Sequence, residues 1–220
     1  MGKRNLEEFR MDADYKTQIN RRDGGRGSKQ YPVFRCPIYL KWMGVKERAG
    51  NGSVNKNSPA YSEVDVCDDW LSFMNFRSWV LEQPEYEGLA LDKDLLCYGN
   101  NVYSPEFCLF VPTEVNNALL LGSNKLKTSD MPLGVTIDKG RIVSQFYDYR
   151  TKKARKQVAG SLEDAHKIWQ ENRENSIRFI VTKWEGEASF NSKAAENLLA
   201  VADKLSYNRE NGIETFDLSF

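Results

Sequence analysis

The sequence predicts an α+β protein built from two small domains, and three observations predict it. The chain has 220 residues, whereas single domains commonly run to about 100–150. Its first half mixes amphipathic helical stretches with short apolar strands. Its second half holds three strands joined by tight turns, followed by a long capped helix. Forty per cent apolar residues, with 12% aromatic, supply enough material for two cores.

Other classes are excluded by composition. No apolar run approaches the roughly eighteen residues that cross a bilayer, so no membrane association is expected. The N-terminus, MGKRNLEEFRMDADYK, lacks the apolar centre of a secretory signal, and a cytoplasmic protein is expected. Cys36, Cys67, Cys97 and Cys108 lie far apart with no Cys-x-x-Cys pair. In a reducing cytoplasm they read as thiols. Zinc is not expected, because its tetrahedral sites usually include at least one close ligand pair; here the closest pair is eleven positions apart.

Net charge is zero but unevenly spread. Residues 1–35 carry nine Lys/Arg against five Asp/Glu, residues 61–130 four against twelve, and residues 134–160 seven against two. Such asymmetry suits a chain that meets polyanions with selected surfaces.

The elements follow in order. Residues 1–30, with RRDGGRGSKQ, read as a flexible basic arm. In 36–48, Ile38, Trp42 and Val45 fall at helical spacing. AGNGSVNKNSPAY is a loop. Val64–Cys67 reads as a strand, after which Asp68 or Asp69 caps a helix from Trp70 to Gln83, ended by Pro84. Leu91–Asp94 reads as a short strand, Asn100-Asn101 as a loop, and Ser104-Pro105-Glu106 as a helix start with Ser as N-cap and Pro at the first helical position. A further helix is expected near 113–121. GSNKLKTSD (122–130) is a polar linker and the expected domain boundary. Gly134–Asp138, Arg141–Arg150 and Lys152–Val158 read as strands with hairpin turns between them. Ser161 and Asp164 have capping-box spacing and open a helix to about Val181. A last helix spans Lys193–Tyr207 within a C-terminal segment, 190–220. Its Leu198, Leu199, Val201 and Leu205 either seal the second domain or form a dimer contact.

The strongest binding signal in the residues themselves is Arg150–Lys156, with five basic side chains in seven positions. On a strand, Lys153 and Arg155 share one face and Lys152 and Lys156 the other, with Tyr147 and Tyr149 just before. A two-stranded ribbon fits the DNA major groove, where Arg and Lys read guanine edges. The five tryptophans read as core anchors, and His166, the single histidine, as a packed or surface residue.

The pattern VCDDWLSFMNFRSW…LDKDLL…GNNVYSPEFCLFVP resembles phage-encoded homing endonucleases of the HNH, or His-Me finger, type. PLGVTIDKGRIVSQFYDYRTKKARKQVAGSLEDAHKIW resembles the APETALA-type DNA-binding domain that often follows such nucleases, although the Gly-x-Phe usual before its helix is replaced by Gln157-Val158-Ala159. The two resemblances cover about residues 36–182. They imply an α+β fold in which a degenerate His-Me finger (ββα) domain, 31–122, precedes a three-stranded antiparallel sheet packed on a helix, 130–183. They also imply a double-stranded DNA-binding hydrolase working in the cytoplasm of an infected bacterial host cell.

In that family a histidine base and one divalent metal cleave the strand. Here the histidine's position is held by Asp92 or Lys93, and the helix asparagine by Phe107. The implied catalytic pair is Asp92 and Asn101, with Asp92, Asp94, Asn101 and Glu106 as oxygen ligands suited to Mg²⁺; the alternative is that Asp92 and Asn101 only cap the finger. The implied DNA-facing set is Arg141, Gln145, Tyr147, Arg150, Lys152, Lys153, Arg155 and Lys156. The acidic balance of 61–130 supports a second possibility, a catalytically inactive interaction protein whose first domain binds or inhibits a host protein. A third is a virion or assembly protein reusing the fold. Oligomeric state is not legible.

Overall fold

The computed structural model describes residues 8–10, 36–50, 63–119 and 131–220. The rest of the expected basic arm and the linker 122–130 lie outside the described residues. Two compact units divide between Phe110 and Val111, so the segment after Pro112 counts with the second unit rather than the first.

The first unit is organised by aromatic side chains. Helix α1 (Pro37–Ala49) buries Ile38, Trp42, Val45 and Ala49, the expected stripe, and starts with proline at its first position, where no amide partner is lost. Strand β1 (Asp65–Val66) leads into a 3₁₀ turn over Asp68–Leu71. Helix α2 (Phe73–Leu81) follows. Its cap is Ser72, whose hydroxyl accepts from Asn75 N, not Asp68 or Asp69. The aspartates fall in the 3₁₀ turn because Trp70 and Leu71 are drawn into the core there. Trp42 donates its indole N–H to Trp70 O at 2.8 Å, and its ring meets Phe73 edge-on at 5.4 Å. Residues 8–10 are docked rather than part of a free arm. Arg10 exchanges backbone bonds with Leu71 and Phe73, and Phe9 is buried against Trp42; the ring's apolar surface outweighs its charged sequence neighbours.

Strands β2 (Ala90–Asp92), β3 (Val102–Tyr103) and β4 (Leu109–Val111) complete two small pairings, β1 with β3 in parallel and β2 with β4. The helix expected from Ser104 is one turn only, closed by Phe107 N and Cys108 N on Ser104 O. The chain then extends because Cys108–Val111 are all buried, which a short apolar strand achieves and a surface helix does not.

In the second unit, a single helical turn α3 (Thr113–Asn116) precedes the three-stranded antiparallel sheet of β5 (Val135–Asp138), β6 (Arg141–Asp148) and β7 (Lys153–Val158), in that spatial order. The β5–β6 hairpin turns on Lys139 and Gly140, both at positive φ, as a two-residue primed turn requires. The β6–β7 loop is held by the Asp148 carboxylate, which accepts from the Arg150 and Thr151 amides and the Thr151 hydroxyl. The sheet packs on helix α4 (Leu162–Trp184). The Ser161 hydroxyl accepts from Asp164 N at 3.0 Å, confirming the expected cap. Helix α5 (Ser192–Glu210) lies along α4 and buries Leu198, Val201 and Leu205, so these residues seal the unit. The C-terminal tail returns to α4. His166, buried, stacks on Trp169. Its Nδ1 bonds Leu133 O at 2.9 Å and its Nε2 accepts from Thr215 N at 3.0 Å.

Candidate functional site

Two places carry the expected site residues. The first is the loop between β2 and β3. Asp92 ends β2 and is 8% exposed. One of its oxygens, Oδ1, accepts from Asp94 N at 2.8 Å and from Leu95 N at 2.7 Å, so the carboxyl turns the chain locally. Burial pushes its pKa up to about 6. The Leu95 and Asp94 amides oppose that rise, and the Asp94 charge adds only a lesser push. The elevation therefore comes chiefly from desolvation.

Lys93 follows Asp92 and is itself buried. Its ammonium reaches Asp94 Oδ1 at 2.6 Å and Asn100 O at 2.5 Å. Asn100 pins the loop: its amide donates to Lys93 O and Val102 O, and its oxygen accepts from Val102 N. The sequence pointed to Asn101, whose side chain is exposed and whose backbone oxygen serves the β1–β3 pairing by accepting from Asp65 N at 2.7 Å. Glu106 is exposed on the turn. Cys108 is buried close enough to feel the Asp92 charge, and burial pushes its thiol up. Asn100 was placed in the loop and Lys93 beside Asp92, but their part in pinning the loop was missed; a Lys between two aspartates and a doubled Asn are their only sequence signals.

Mg²⁺ finds little here to hold it. Asp94 is paired with Lys93, and Asp92 spends Oδ1 on two amides. Among the described residues, no group of three or more His, Cys, Asp or Glu side chains suits a metal.

The second place is the β6–β7 ribbon. All eight expected DNA-facing side chains are exposed, and β7 is exposed at every position. Cross-strand partners share a face of the sheet, and the register divides the set. Gln145 lies opposite Lys156 and Tyr147 opposite Ala154, with Arg141 on the same side. Lys153, opposite Asp148, and Arg155, opposite Phe146, take the other side. Arg150 and Lys152 sit in the connecting loop, Arg150 over the Phe179 ring at 5.6 Å.

Acidic partners, missed in the sequence, temper this charge. Lys156 meets Asp138 at 2.9 Å, Arg155 lies 4.0 Å from Asp148, and Lys152 lies 3.3 Å from Glu114, which also binds Lys183 at 2.8 Å. Arg141 and Lys153 form no ion pair among the described residues. The tryptophans are core residues as expected: Trp42, Trp70, Trp169 and Trp184 are buried and Trp79 packs on the same core as Trp70. No described helix is long and apolar enough to cross a membrane.

No protein family, curated protein or solved structure matches the chain at a significant level.

Proposed function

We propose that this chain binds double-stranded DNA through the β6–β7 ribbon, as a protein of the phage homing-endonuclease type. The observation that carries this reading is an edge strand exposed along its whole length, with Lys153, Arg155 and Lys156 projecting from both sides and Arg141, Gln145 and Tyr147 on its neighbour. A two-stranded ribbon has the dimensions of the major groove, Arg and Lys read guanine there, and Gln reads adenine. Among the described residues, Arg141 and Lys153 have no acid to leave before meeting phosphate.

Cleavage finds less support. Asp92 has an elevated carboxyl of the kind a general base uses near neutral pH, but its hydrogen bonds are those of a loop cap. The test is duplex binding by fluorescence anisotropy across a salt series, with Lys153→Glu/Arg155→Glu beside the wild type. Each phosphate contact contributes about 0.9 to the slope of log K against log salt, so the double variant should bind more weakly with a slope shallower by about 1–2. Unchanged affinity and slope reject the ribbon. Nicking of the same duplex with Mg²⁺ or Mn²⁺, wild type against Asp92→Ala, separates binder from nuclease.

A second reading, a non-catalytic unit that docks on a host protein, draws on the Lys93 ammonium sitting on Asp94, against catalysis, and on the acidic balance of residues 61–130, for docking. DNA-independent retention of one host protein would support it.

A further inference from the structure

Beside the ribbon, within the second unit, lies an open cavity of about 350 Å³ lined by Thr113, Glu114, Asn117, Tyr147, Tyr149 and Lys152. Only Tyr147 and Lys152 belong to the DNA-facing set, and α3 supplies the opposite wall. Three features define what it accepts. First, Tyr147 and Tyr149 meet edge to face, with ring centres 4.9 Å apart, and Tyr147 is 45% exposed, so an open aromatic surface borders the space. Aromatic surfaces of this kind stack unpaired bases.

Second, Glu114 brings a carboxylate held ionised, chiefly by its bond to Lys183 and further by Lys152. An ionised carboxylate only accepts, and its two oxygens have about four lone-pair sites. The two lysine contacts leave room for further donors. Third, two ammonium groups around one carboxylate leave the rim net positive, which favours a ligand that carries its own negative charge.

We infer that this cavity takes an unpaired guanine base of a DNA strand, stacked on Tyr147, with the Glu114 carboxylate accepting from guanine N1–H and N2–H and Lys152 at the neighbouring phosphate. Among the four bases, guanine alone presents two adjacent N–H donors on one edge, the pattern a carboxylate matches. Adenine and cytosine offer one donor beside an acceptor, and thymine one donor between two acceptors. In intact duplex this edge is paired, so the base must come from a single strand or from a nucleotide turned out of the helix. The inference rests on the DNA-binding reading and extends it from groove to base.

The experiment measures binding of oligothymidylate carrying one central dG, one central dA or neither, beside a duplex of equal length. For the wild type, the dG strand should bind roughly tenfold more tightly than the other two, the order of discrimination one bidentate pair gives. Glu114→Gln, which replaces one acceptor by a donor, should abolish the dG preference. Tyr147→Leu, at an exposed position, should weaken the dG strand several-fold. Lys153→Glu/Arg155→Glu should weaken all strands and keep the preference. Equal binding of the three strands alongside normal duplex binding overturns the pocket and leaves the ribbon. A dG preference that survives Glu114→Gln also overturns it. Failure to bind any DNA overturns both.

Discussion

Asp92→Asn tests whether burial sets the chemistry of the β2–β3 loop. In the folded chain burial raises this carboxyl from 3.8 to about 6. Below pH 3.8 both the folded and unfolded chains hold the proton, and Asp92 contributes no pH dependence. Between about pH 4 and 6 the unfolded chain releases it while the folded chain keeps it, so the unfolded state binds fewer protons and stability falls as pH rises. Above about pH 7 both are ionised and the loss is complete. A rise from 3.8 to about 6 corresponds to about 3 kcal/mol of stability lost across this window. Asparagine does not ionise, yet its Oδ1 can still accept from Asp94 N and Leu95 N. Burying the new amide has its own cost, of about 1–3 kcal/mol, but that cost does not vary with pH. The decisive quantity is therefore the difference between variant and wild type, which should move by about 2.5 kcal/mol in the variant's favour from pH 4 to pH 8. Urea unfolding followed by tryptophan fluorescence measures it, since Trp42 and Trp70 are buried in the same unit. A difference that stays flat, or moves the other way, refutes a desolvated Asp92.

Gly134→Ala should cost roughly 2–4 kcal/mol in thermal unfolding, because a Cβ there would stand 2.0 Å from the Trp169 ring at a φ of +75°; a loss under about 1 kcal/mol would mean that β5 does not rest on α4 as described. His166→Ala should release the tail by removing the acceptor for Thr215 N, and hydrogen exchange at the Thr215 amide should quicken at least tenfold. Asp138→Asn frees Lys156 and should tighten duplex binding up to about fivefold, the range an exposed ion pair commands; anisotropy titration decides.

The second unit was largely legible because its signals are local. Lys139-Gly140, the Asp148 loop and the Ser161 cap each act within a few residues, and strands and helix follow within a residue or three of their expected ends. The first unit was less so. Ser104-Pro105-Glu106 is a sound helix start, yet Cys108–Val111 are buried as a strand, and burial outweighs a start signal worth about 1 kcal/mol. The β2–β3 loop illustrates a second limit. Asn100 and Asn101 are indistinguishable in type, and a shift of one position decides which side chain pins the loop. The His166 contact to Thr215 spans 49 residues, beyond the reach of periodicity or motif.

The acidic partners of the ribbon reshape what its charge can do. A bare count of 134–160, seven basic residues against two acidic, suggests a strong polyanion surface. In the fold, Asp138, Asp148 and Glu114, the last from outside that stretch, stand against Lys156, Arg155 and Lys152. On the proposed DNA-binding reading, a phosphate contact at these three replaces an existing carboxylate contact, and the net gain is the difference between the two. Arg141 and Lys153 have no acidic partner among the described residues, so they should dominate the non-specific, salt-sensitive part of binding. The paired residues are partly neutralised by their acids, which weakens their loose attraction to the backbone and leaves contacts to base edges as their proposed part. A ribbon arranged in this way suits discrimination among sequences better than indiscriminate coating of DNA. Specific and non-specific affinities measured at one salt concentration should therefore respond differently, Lys153→Glu lowering both and Lys156→Glu lowering chiefly the specific one.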